Sequence, residues 1–298
     1  RTMPSMALAA AVVTGLACSA RIAPETADST HDRRVAAFVG GLVADAAAMP
    51  LHWIYDIAEI NSILQAAGRE ATPEFLTPSH APFYNYPVGA TTPFGDQTMI
   101  YAESLAKENA VVPVEIAAAY EAYYTPPMNT SRPYKSYYDH ATKDFLANVA
   151  AGKTWPHTGG NDSETNAIAH VLPVVVMKAG KPGFLKDAEL AIRIVQDNDD
   201  AVAFGLTFAR ILEKVIMGEG IVNAIKETAQ TLHEGTGNPN DAWLSHGLSK
   251  MDEWSPRPAG DVTLEVGQSC DFPYHIFNGP QLLLHYNATV SFATAIRE

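Results

Sequence analysis

Residues 199–218 read DDAVAFGLTFARILEKVIMG and carry the clearest helical pattern in this chain. Acidic residues open the stretch, where they complement the positive end of a helix dipole, and Gly218 is a typical helix terminator. The neighbouring run 197–200 resembles a cation-binding cluster of acids, but its position favours a role at the start of the helix. One side of the predicted helix is an apolar stripe suited to burial. This stripe comprises Val202, Leu206, Ala209 and Val215.

The same helical periodicity continues through most of the chain, and the period-two alternation typical of strands is scarce. Residues 35–49 predict the first helix, which Pro50 ends. Five prolines between residues 72 and 94 exclude a regular helix there and predict a long ordered or lid-like loop. The first helix is expected to face the core with Val35, Phe38, Val39, Leu42, Val43, Ala46 and Met49. Further helices are predicted over 97–109, 114–124, 136–151, 164–179, 187–195, 221–233, 241–253 and 271–296. We therefore predict an all-α fold, a compact single domain of many helices.

The composition excludes several classes of protein. The 298 residues include 20 Lys and Arg against 33 Asp and Glu, a formal net charge of −13. Nucleic-acid binding needs a surplus of cationic side chains, so that class is not expected. An apolar content of 47% is typical of a chain that packs a core, and no apolar run reaches the roughly 18 residues of a membrane span. Cys18 and Cys270 are too few for a disulfide framework or a cysteine-based zinc site.

The first 30 residues differ from the rest of the chain. Residues 6–18 form an apolar stretch followed by the small Ser19 and Ala20, a pattern typical of a signal peptide. A disordered or loosely helical extension explains the same residues equally well. We expect residues 1–30 to lie outside the folded domain, which we place at 31–298. The localisation stays open: cytoplasmic if this stretch is no signal, and secretory or organellar if it is one.

Three places in the sequence carry candidate functional residues. Asp45 is a lone acid in an alanine-rich helical run, and a buried acid needs a polar partner. Asp96 lies in the GDQT turn at residues 95–98, where a plain helix N-cap is the alternative interpretation. The pair Gly160 and Asn161 can line a cleft, because glycine lets a ligand approach the backbone, or it can belong to an ordinary capped loop.

Together these features resemble the ADP-ribosylglycohydrolase family, in particular its branch of jellyfish J-type crystallins and selenoprotein J. The resemblance extends over residues 33–298. It rests on the order of three pieces: the small-residue helix around Asp45, the GDQT turn, and Gly160 with Asn161 leading into residues 167–173. It implies a compact all-α domain with a metal-bearing cleft that hydrolyses ADP-ribose linkages. The implied partner is ADP-ribose or an ADP-ribosylated substrate.

The resemblance also implies two Mg²⁺ ions, held by an early Thr-Asp-Asp-Thr turn and a late Asp-x-Asp-Thr segment, since hard cations prefer oxygen ligands. Here Gly95 and Gln97 replace two residues of the early turn, so that Asp96 and Thr98 are the ones that match. His52 stands where a Glu that acts as acid or base follows the first helix. No Asp-x-Asp-Thr segment occurs in the C-terminal third, and the sequence ends where a Gly-Gly-Asp segment is expected. We therefore expect an incomplete metal site in a domain that is incomplete at its C-terminal end.

Two functions follow from the resemblance. The first is hydrolysis of an ADP-ribose-type glycosidic bond with a degenerate Mg²⁺ site. The alternative is a catalytically inactive crystallin-like protein with a structural or ADP-ribose-binding role. A redox role for Cys270 and the oligomeric state stay open. The candidate residues are Asp96 and His52 for catalysis, Asp96 and Thr98 for Mg²⁺, and Asp45, Gly160 and Asn161 for the substrate, with a structural role beside Trp53 as the alternative for His52.

Overall fold

The computed structural model describes residues 29–125, 134–254 and 256–257, and over these ranges all regular structure is helical. Within them, β-type pairing consists of an isolated bridge between Gly160 and Gln196. The predicted all-α fold is confirmed. The predicted helix 271–296, Cys270 and residues 1–28 lie outside the described residues. The helices are α1 Thr30–Ala48, α2 Ile57–Ala67, α3 Pro93–Glu108, α4 Pro113–Tyr124, α5 His140–Ala150, α6 Ala167–Lys178, α7 Phe184–Val195, α8 Asp199–Ile216, α9 Ile221–Glu234, α10 Asp241–Ser249 and α11 Met251–Trp254.

Helix α6 lies at the centre of the fold. Its sequence, AIAHVLPVVVMK, is almost entirely apolar, and residues 167–175 are all buried. Helices α1, α3, α7 and α8 pack around it. A helix that is apolar on every side is stable in water only when other elements surround it in this way. Helix α6 therefore fixes the positions of α1 and α3, which carry the candidate site residues.

Helix α1 buries a different face from the predicted one. The expectation that Val35, Val39 and Val43 face the core is wrong, because their side chains are 47%, 50% and 50% exposed. Small side chains let the backbone of α1 approach its neighbours closely, and this close packing takes the place of valine burial. The buried face consists of Ala37, Gly41, Ala44, Asp45, Ala46, Ala47 and Ala48.

Polar contacts fix the N-terminal end of α1. Ser29 is the N-cap, and its Oγ accepts a hydrogen bond at 3.1 Å from the backbone N of Asp32. Arg34 donates from both Nη atoms, at 2.5 and 2.6 Å, to carbonyl groups at the end of α6. Among the described helices, the window Thr30–Leu51 is long and apolar enough to cross a bilayer. Because 56% of the apolar 18-residue stretch within it is buried inside the protein, we assign this helix to the core.

Helix α3 begins at Pro93 and not at the predicted residue 97. Thr92 is the N-cap, with its Oγ1 accepting a hydrogen bond at 3.1 Å from the backbone N of Phe94. Proline is favoured at the first helical position because its missing N–H has no partner there anyway. The interpretation of Asp96 as the N-cap is therefore wrong, since Asp96 lies in the first turn. The whole GDQT turn is helical and buried.

Helix α8 confirms the start predicted at Asp199. Asn198 is its N-cap, and the acids at 199 and 200 occupy the first turn as the capping interpretation predicts. Leu206 and Val215 are only partly buried, so the predicted stripe is only partly correct. The buried face is wider and more aromatic, and it includes Val202, Phe204, Phe208, Ala209, Ile211 and Leu212.

Two further elements differ from the predictions. Helix α2 was not predicted, because only Ile60 and Leu64 are buried and two positions make a weak periodic signal. Helix α5 begins at His140 and not at residue 136, since the Asp139 side chain caps it by accepting from the backbone N of Thr142 at 2.7 Å.

Candidate functional site

Successive residues in the first turn of α3 belong to two buried polar clusters. The Asp45–Asp96 cluster comprises Asp45, Thr91, Thr92, Asp96, Tyr123 and Ser136. The Gln97–Asp139 cluster comprises Gln97, Asp139, Thr142, Asn166 and His170. The structure thus brings the predicted residues Asp45 and Asp96 together and gives Gln97 a different set of partners.

Asp45 reaches from the buried face of α1 to the start of α3. Its carboxyl group accepts hydrogen bonds from the backbone N of Thr92 at 2.7 Å and from Thr92 Oγ1 at 2.6 Å. A Cβ atom on residue 95 would collide with Asp45 Oδ2 and with the side chain of Thr91. Asp45 therefore fills the space beside the first turn of α3, and Gly95 is the residue that permits it.

The protonation of Asp45 is shifted toward neutral pH. Burial raises the pKa of its carboxyl group to about 7, and hydrogen bonds from Thr92 oppose part of that rise. The negative charge of Asp96 raises the pKa of Asp45 further, because two nearby carboxyl groups resist being ionised together. Asp45 is 2% exposed, so solvent does little to screen this effect.

Asp96 is completely buried and surrounded by hydroxyl groups. Its Oδ1 accepts a hydrogen bond from Thr91 Oγ1 at 3.0 Å. Its Oδ2 accepts from the Tyr123 hydroxyl at 2.9 Å and from Ser136 Oγ at 3.2 Å. Hydroxyl donors of this kind stabilise the ionised form of a carboxyl group. The two carboxyl groups of the cluster therefore have different donors: one hydroxyl and a backbone N–H for Asp45, and three hydroxyl groups for Asp96.

Aromatic side chains lie against the Asp45–Asp96 cluster. The ring of His52 stacks on Trp53 with 4.3 Å between centroids and 19° between planes. Burial raises the pKa of Tyr84, and the charges of Asp45 and Asp96 add to that rise, which places the tyrosine within electrostatic reach of both. We call this group the aromatic cover, and it comprises His52, Trp53, Phe83, Tyr84, Tyr86, Phe94 and Tyr137.

His52 has the contacts of a core aromatic residue. Its Nδ1 lies 2.5 Å from the hydroxyl of Tyr84, and its ring meets Phe94 edge-on at 5.3 Å. Burial lowers the pKa of His52 to about 3, so the ring is neutral near pH 7 and is not in the imidazolium form that serves as a general acid. The predicted catalytic role of His52 therefore does not enter the function proposed below.

Gln97 is directed into the interior of the helical bundle. Its Nε2 donates a hydrogen bond to the Asp139 carboxylate, and its Oε1 lies 3.1 Å from His170 Nε2. The carboxylate of Asp139 also accepts from the backbone N of Thr142 at 2.7 Å and from Asn166 Nδ2 at 3.2 Å. All five residues are buried. The side chain of Gln97 therefore links α3 to α5 and α6.

Two atoms of the Gln97–Asp139 cluster have no hydrogen-bond partner among the residues that the structure describes. They are Asn166 Oδ1 and His170 Nδ1. The His170 ring stacks on Tyr101 with 4.7 Å between centroids, and burial lowers the pKa of His170 to about 3. The ring is thus neutral, and the cluster contains a carboxylate, two amides and a neutral imidazole.

The predicted Mg²⁺ ligands fit such an ion poorly. Thr98 Oγ1 lies 3.0 Å from the carbonyl of Phe94 and 3.1 Å from that of Ala169, so its hydroxyl serves the helix backbone. The oxygens of Asp96 already accept from three hydroxyl groups. The described part of the chain contains no group of three or more His, Cys, Asp or Glu side chains suited to a metal ion. We therefore derive no chemical step from a metal ion.

Gly160 and Asn161 hold a loop to the end of α7. The backbone of Gly160 donates to the carbonyl of Val195 at 2.9 Å and accepts from Asp197 N at 2.8 Å. Asn161 Oδ1 accepts from Asn198 Nδ2 at 2.8 Å. These contacts hold the two residues against the start of α8, and their predicted role in substrate binding stays a prediction.

Several cluster residues were not identified from the sequence. Thr92 was detectable, because a threonine followed by proline is typical of a helix start. Asp139 also had a local signal as a capping acid before α5. Asn166 and His170 had none, since their contacts with Asp139 and Gln97 depend on how distant helices pack.

Comparison with known proteins identifies relatives of this chain. The family model described as ADP-ribosylglycohydrolase matches residues 26–291. Crystallin J1A of Tripedalia cystophora is 28% identical over 201 residues, which cover 64% of this chain and 61% of the crystallin. Crystallin J1B of the same organism is 27% identical with the same coverage, so the chain matches less than two thirds of either relative. A solved structure described as an ADP-ribosylglycohydrolase-related protein complex shares the fold, with a TM-score of 0.51 and 17% identity over 87% of this chain and 89% of that one.

Proposed function

This chain belongs to the ADP-ribosylglycohydrolase family, and from that membership we propose that it hydrolyses an ADP-ribose-type glycosidic bond at the Asp45–Asp96 cluster. One observation carries the choice of site: two buried carboxyl groups lie together, and burial and the charge of Asp96 raise the pKa of Asp45 to about 7, while three hydroxyl groups donate to Asp96. Paired titratable groups of this kind are typical of sites that perform acid and base chemistry.

The two carboxyl groups take different roles in this proposal. With its pKa raised to about 7, Asp45 keeps a protonated fraction near neutral pH and acts as the general acid. Asp96, with its hydroxyl donors, acts as the general base. A water molecule gives a proton to Asp96 and forms the new bond to the anomeric carbon. The glycosidic bond breaks, and the proton of Asp45 passes to the leaving group.

The substrate reaches these groups only after the aromatic cover moves aside. Asp45 is 2% exposed and Asp96 is fully buried in the arrangement described. The cover includes Phe83 and Tyr84 from the proline-rich loop, which the sequence predicts to be a long ordered or lid-like loop. Phe83 is 53% exposed, so this part of the cover borders solvent. The proposal therefore includes an opening of the loop that uncovers the carboxyl pair.

A second function is favoured by a different observation. Gln97, Thr98 and His52 make core contacts where the family resemblance implies chemistry. Side chains that make core contacts in this way suit a catalytically inactive protein with a structural or ADP-ribose-binding role. The sequence similarity of this chain to the crystallins of Tripedalia cystophora favours the same alternative. This alternative predicts that the protein does not turn over ADP-ribosylated substrates.

The test is the release of ADP-ribose from ADP-ribosylated peptides, with arginine-linked and serine-linked substrates assayed separately. The full chain is incubated with each peptide in Mg²⁺ or in a chelator, and products are separated by chromatography. Because no metal ion takes part in the proposed steps, we expect release in both conditions. Release that requires Mg²⁺ would contradict the proposed acid and base roles.

Variants then locate the chemistry. Replacing Asp45→Asn or Asp96→Asn removes one proton-transfer group and is expected to lower turnover by about 100-fold or more. Asp187→Asn is the matched control, because Asp187 lies on the surface in a loose 3.6 Å ion pair and its loss leaves the site intact. If no substrate is turned over, calorimetry with ADP-ribose decides between the inactive roles: binding indicates a binding protein, and no binding a structural one.

A further inference from the structure

A groove lies between α7, α8 and the loop at residues 236–239. Its volume is about 480 Å³, within the range of small-molecule sites. The residues that line it include the cations Lys186, Arg193 and Arg210, the acids Glu189 and Asp199, and the side chains of Val202, Leu206 and Thr236. None of these residues belongs to either cluster described above. The groove is therefore a candidate binding site separate from both clusters.

The two arginines of the groove differ in their contacts. Arg193 donates to Glu189 at 2.9 Å, to Asp197 at 2.8 Å and to Asp199 at 2.7 Å. Three carboxylates thus neutralise its charge and use the donors of its guanidinium group. Arg193 is a structural link between α7 and the start of α8, and it contributes no free charge to the groove.

Arg210 has no hydrogen-bond or ion-pair partner among the described residues. Its side chain is partly buried, and burial lowers the pKa of its guanidinium group from the ordinary value, against the opposing charges of Asp241 and Glu213. The carboxylate of Asp241 accepts its own hydrogen bonds from Thr236 N at 2.5 Å, Thr236 Oγ1 at 2.8 Å and Asn238 N at 3.2 Å, and it acts on Arg210 through its charge alone. A guanidinium group that lacks partners in a groove is a ready donor to an incoming anion.

From these contacts we propose that the groove binds a small oxyanion, a carboxylate or a phosphate ester, on the guanidinium fork of Arg210. Lys186 supplies a second positive charge at the rim, where its side chain is exposed. Val202 and Leu206 form an apolar wall, which suits a ligand that joins its anionic group to a short apolar part. Because the chain has a net charge of −13, its long-range electrostatic field does not attract an anion to the groove. Binding of the anion therefore depends on short-range contacts with the guanidinium fork of Arg210.

The experiment is isothermal calorimetry on the full chain at constant ionic strength, with chloride as the reference anion. Inorganic phosphate and butyrate are the two probes. Saturable binding of phosphate alone assigns the site to phosphate esters, binding of butyrate alone assigns it to carboxylates, and binding of both supports a general oxyanion site. If neither probe binds more tightly than chloride, the proposal is overturned.

Variants tie the binding to Arg210. We expect Arg210→Gln to weaken binding by about tenfold or more and Lys186→Gln to weaken it less, since only Arg210 offers a paired donor fork. Arg210→Lys keeps the charge and loses the fork, so it should bind with intermediate affinity and carries the test if the glutamine variant does not fold. Lys181→Gln is the matched control, because it removes the same charge from an exposed residue outside the groove. Equal binding by the Arg210 variants and by this control would exclude Arg210 as the anchor.

Discussion

The Asp45–Asp96 cluster and the Gln97–Asp139 cluster begin at neighbouring residues of α3 and have opposite chemical character. The first contains two carboxyl groups, and backbone and hydroxyl donors meet their oxygens. The second contains one carboxylate, and within the described part of the chain it leaves Asn166 Oδ1 and His170 Nδ1 without hydrogen-bond partners. One cluster thus keeps ionisable groups close together, while the other is held by neutral amides and a neutral imidazole.

The residue at position 97 explains this difference. A carboxylate there would face Asp139 across a buried contact, and two like charges in the interior need either a cation between them or a proton on one of them. The amide of Gln97 instead donates to Asp139, so it satisfies the carboxylate without a metal ion. The second cluster therefore links α3 to α5 and α6, and our proposal assigns the chemistry to the first cluster.

The largest effect is expected when Gly95 is changed. Gly95→Thr places a Cβ atom against Asp45 Oδ2 and the side chain of Thr91, and the packed interior has no room to yield. We expect the free energy of unfolding to fall by about 4 to 5 kcal/mol, as measured by urea denaturation. Gly220→Ala is the control, since a Cβ at Gly220 meets no atom within 4 Å, and it should change stability by less than about 1 kcal/mol. Equal losses in the two variants would show that Asp45 does not fill the space above residue 95.

The sequence predicts the helices of this fold better than it predicts their faces. The start of α8 at Asp199 is correct because its signal is local, a capping residue and acids before an apolar run. The prediction that the valines of α1 are buried is wrong, because packing against the neighbouring helices determines which face is buried, and that packing favours the small residues. The same limit applies to the site. Asp45 and Asp96 could be selected as unusual acids, but the contacts that bring Gln97 to Asp139 join residues far apart in the chain.

The next largest effect concerns pH. The pKa of Asp45 is about 7 in the folded protein and near 3.9 in an unfolded chain, so the folded state binds more protons between these values. The protonated Asp45 carboxyl group therefore adds roughly 4 kcal/mol to the free energy of unfolding below about pH 4. This contribution is lost as the pH rises through 7. Asp45→Asn removes that dependence.

Denaturation of wild type and Asp45→Asn at pH 4 and pH 8 checks this prediction. The stability of wild type relative to the variant should fall by that amount between the two pH values. His52 and His170 change stability in the opposite direction, because their pKa values of about 3 make the folded protein resist protonation, but they do so equally in both proteins. A difference that does not vary with pH would mean that Asp45 is ionised throughout the range.

A smaller effect is expected from a charge placed in the second cluster. Gln97→Glu sets a carboxylate against Asp139, and we expect a loss of about 3 kcal/mol at pH 7 that diminishes at low pH, where one of the two acids is protonated. The double variant with Asp139→Asn should recover most of the stability. Gln65→Glu is the control, since Gln65 is exposed on α2. Full stability of Gln97→Glu without added cations would refute the neutral character assigned to this cluster.

The smallest effect tests whether Thr98 serves the helix or a metal ion. Thr98→Val keeps the shape of the side chain and removes the hydroxyl that faces the carbonyls of Phe94 and Ala169. Losing one buried hydrogen bond should cost about 1 kcal/mol, similar to Ser104→Ala on the same helix, whose hydroxyl donates to Ile100 O at 2.9 Å. Because the hydroxyl is committed to the backbone, thermal unfolding of both variants should respond to added Mg²⁺ as wild type does. If wild type and Ser104→Ala respond to Mg²⁺ and Thr98→Val does not, Thr98 is a metal ligand. The proposed chemistry at the carboxyl pair would then have to be replaced by chemistry at a metal site.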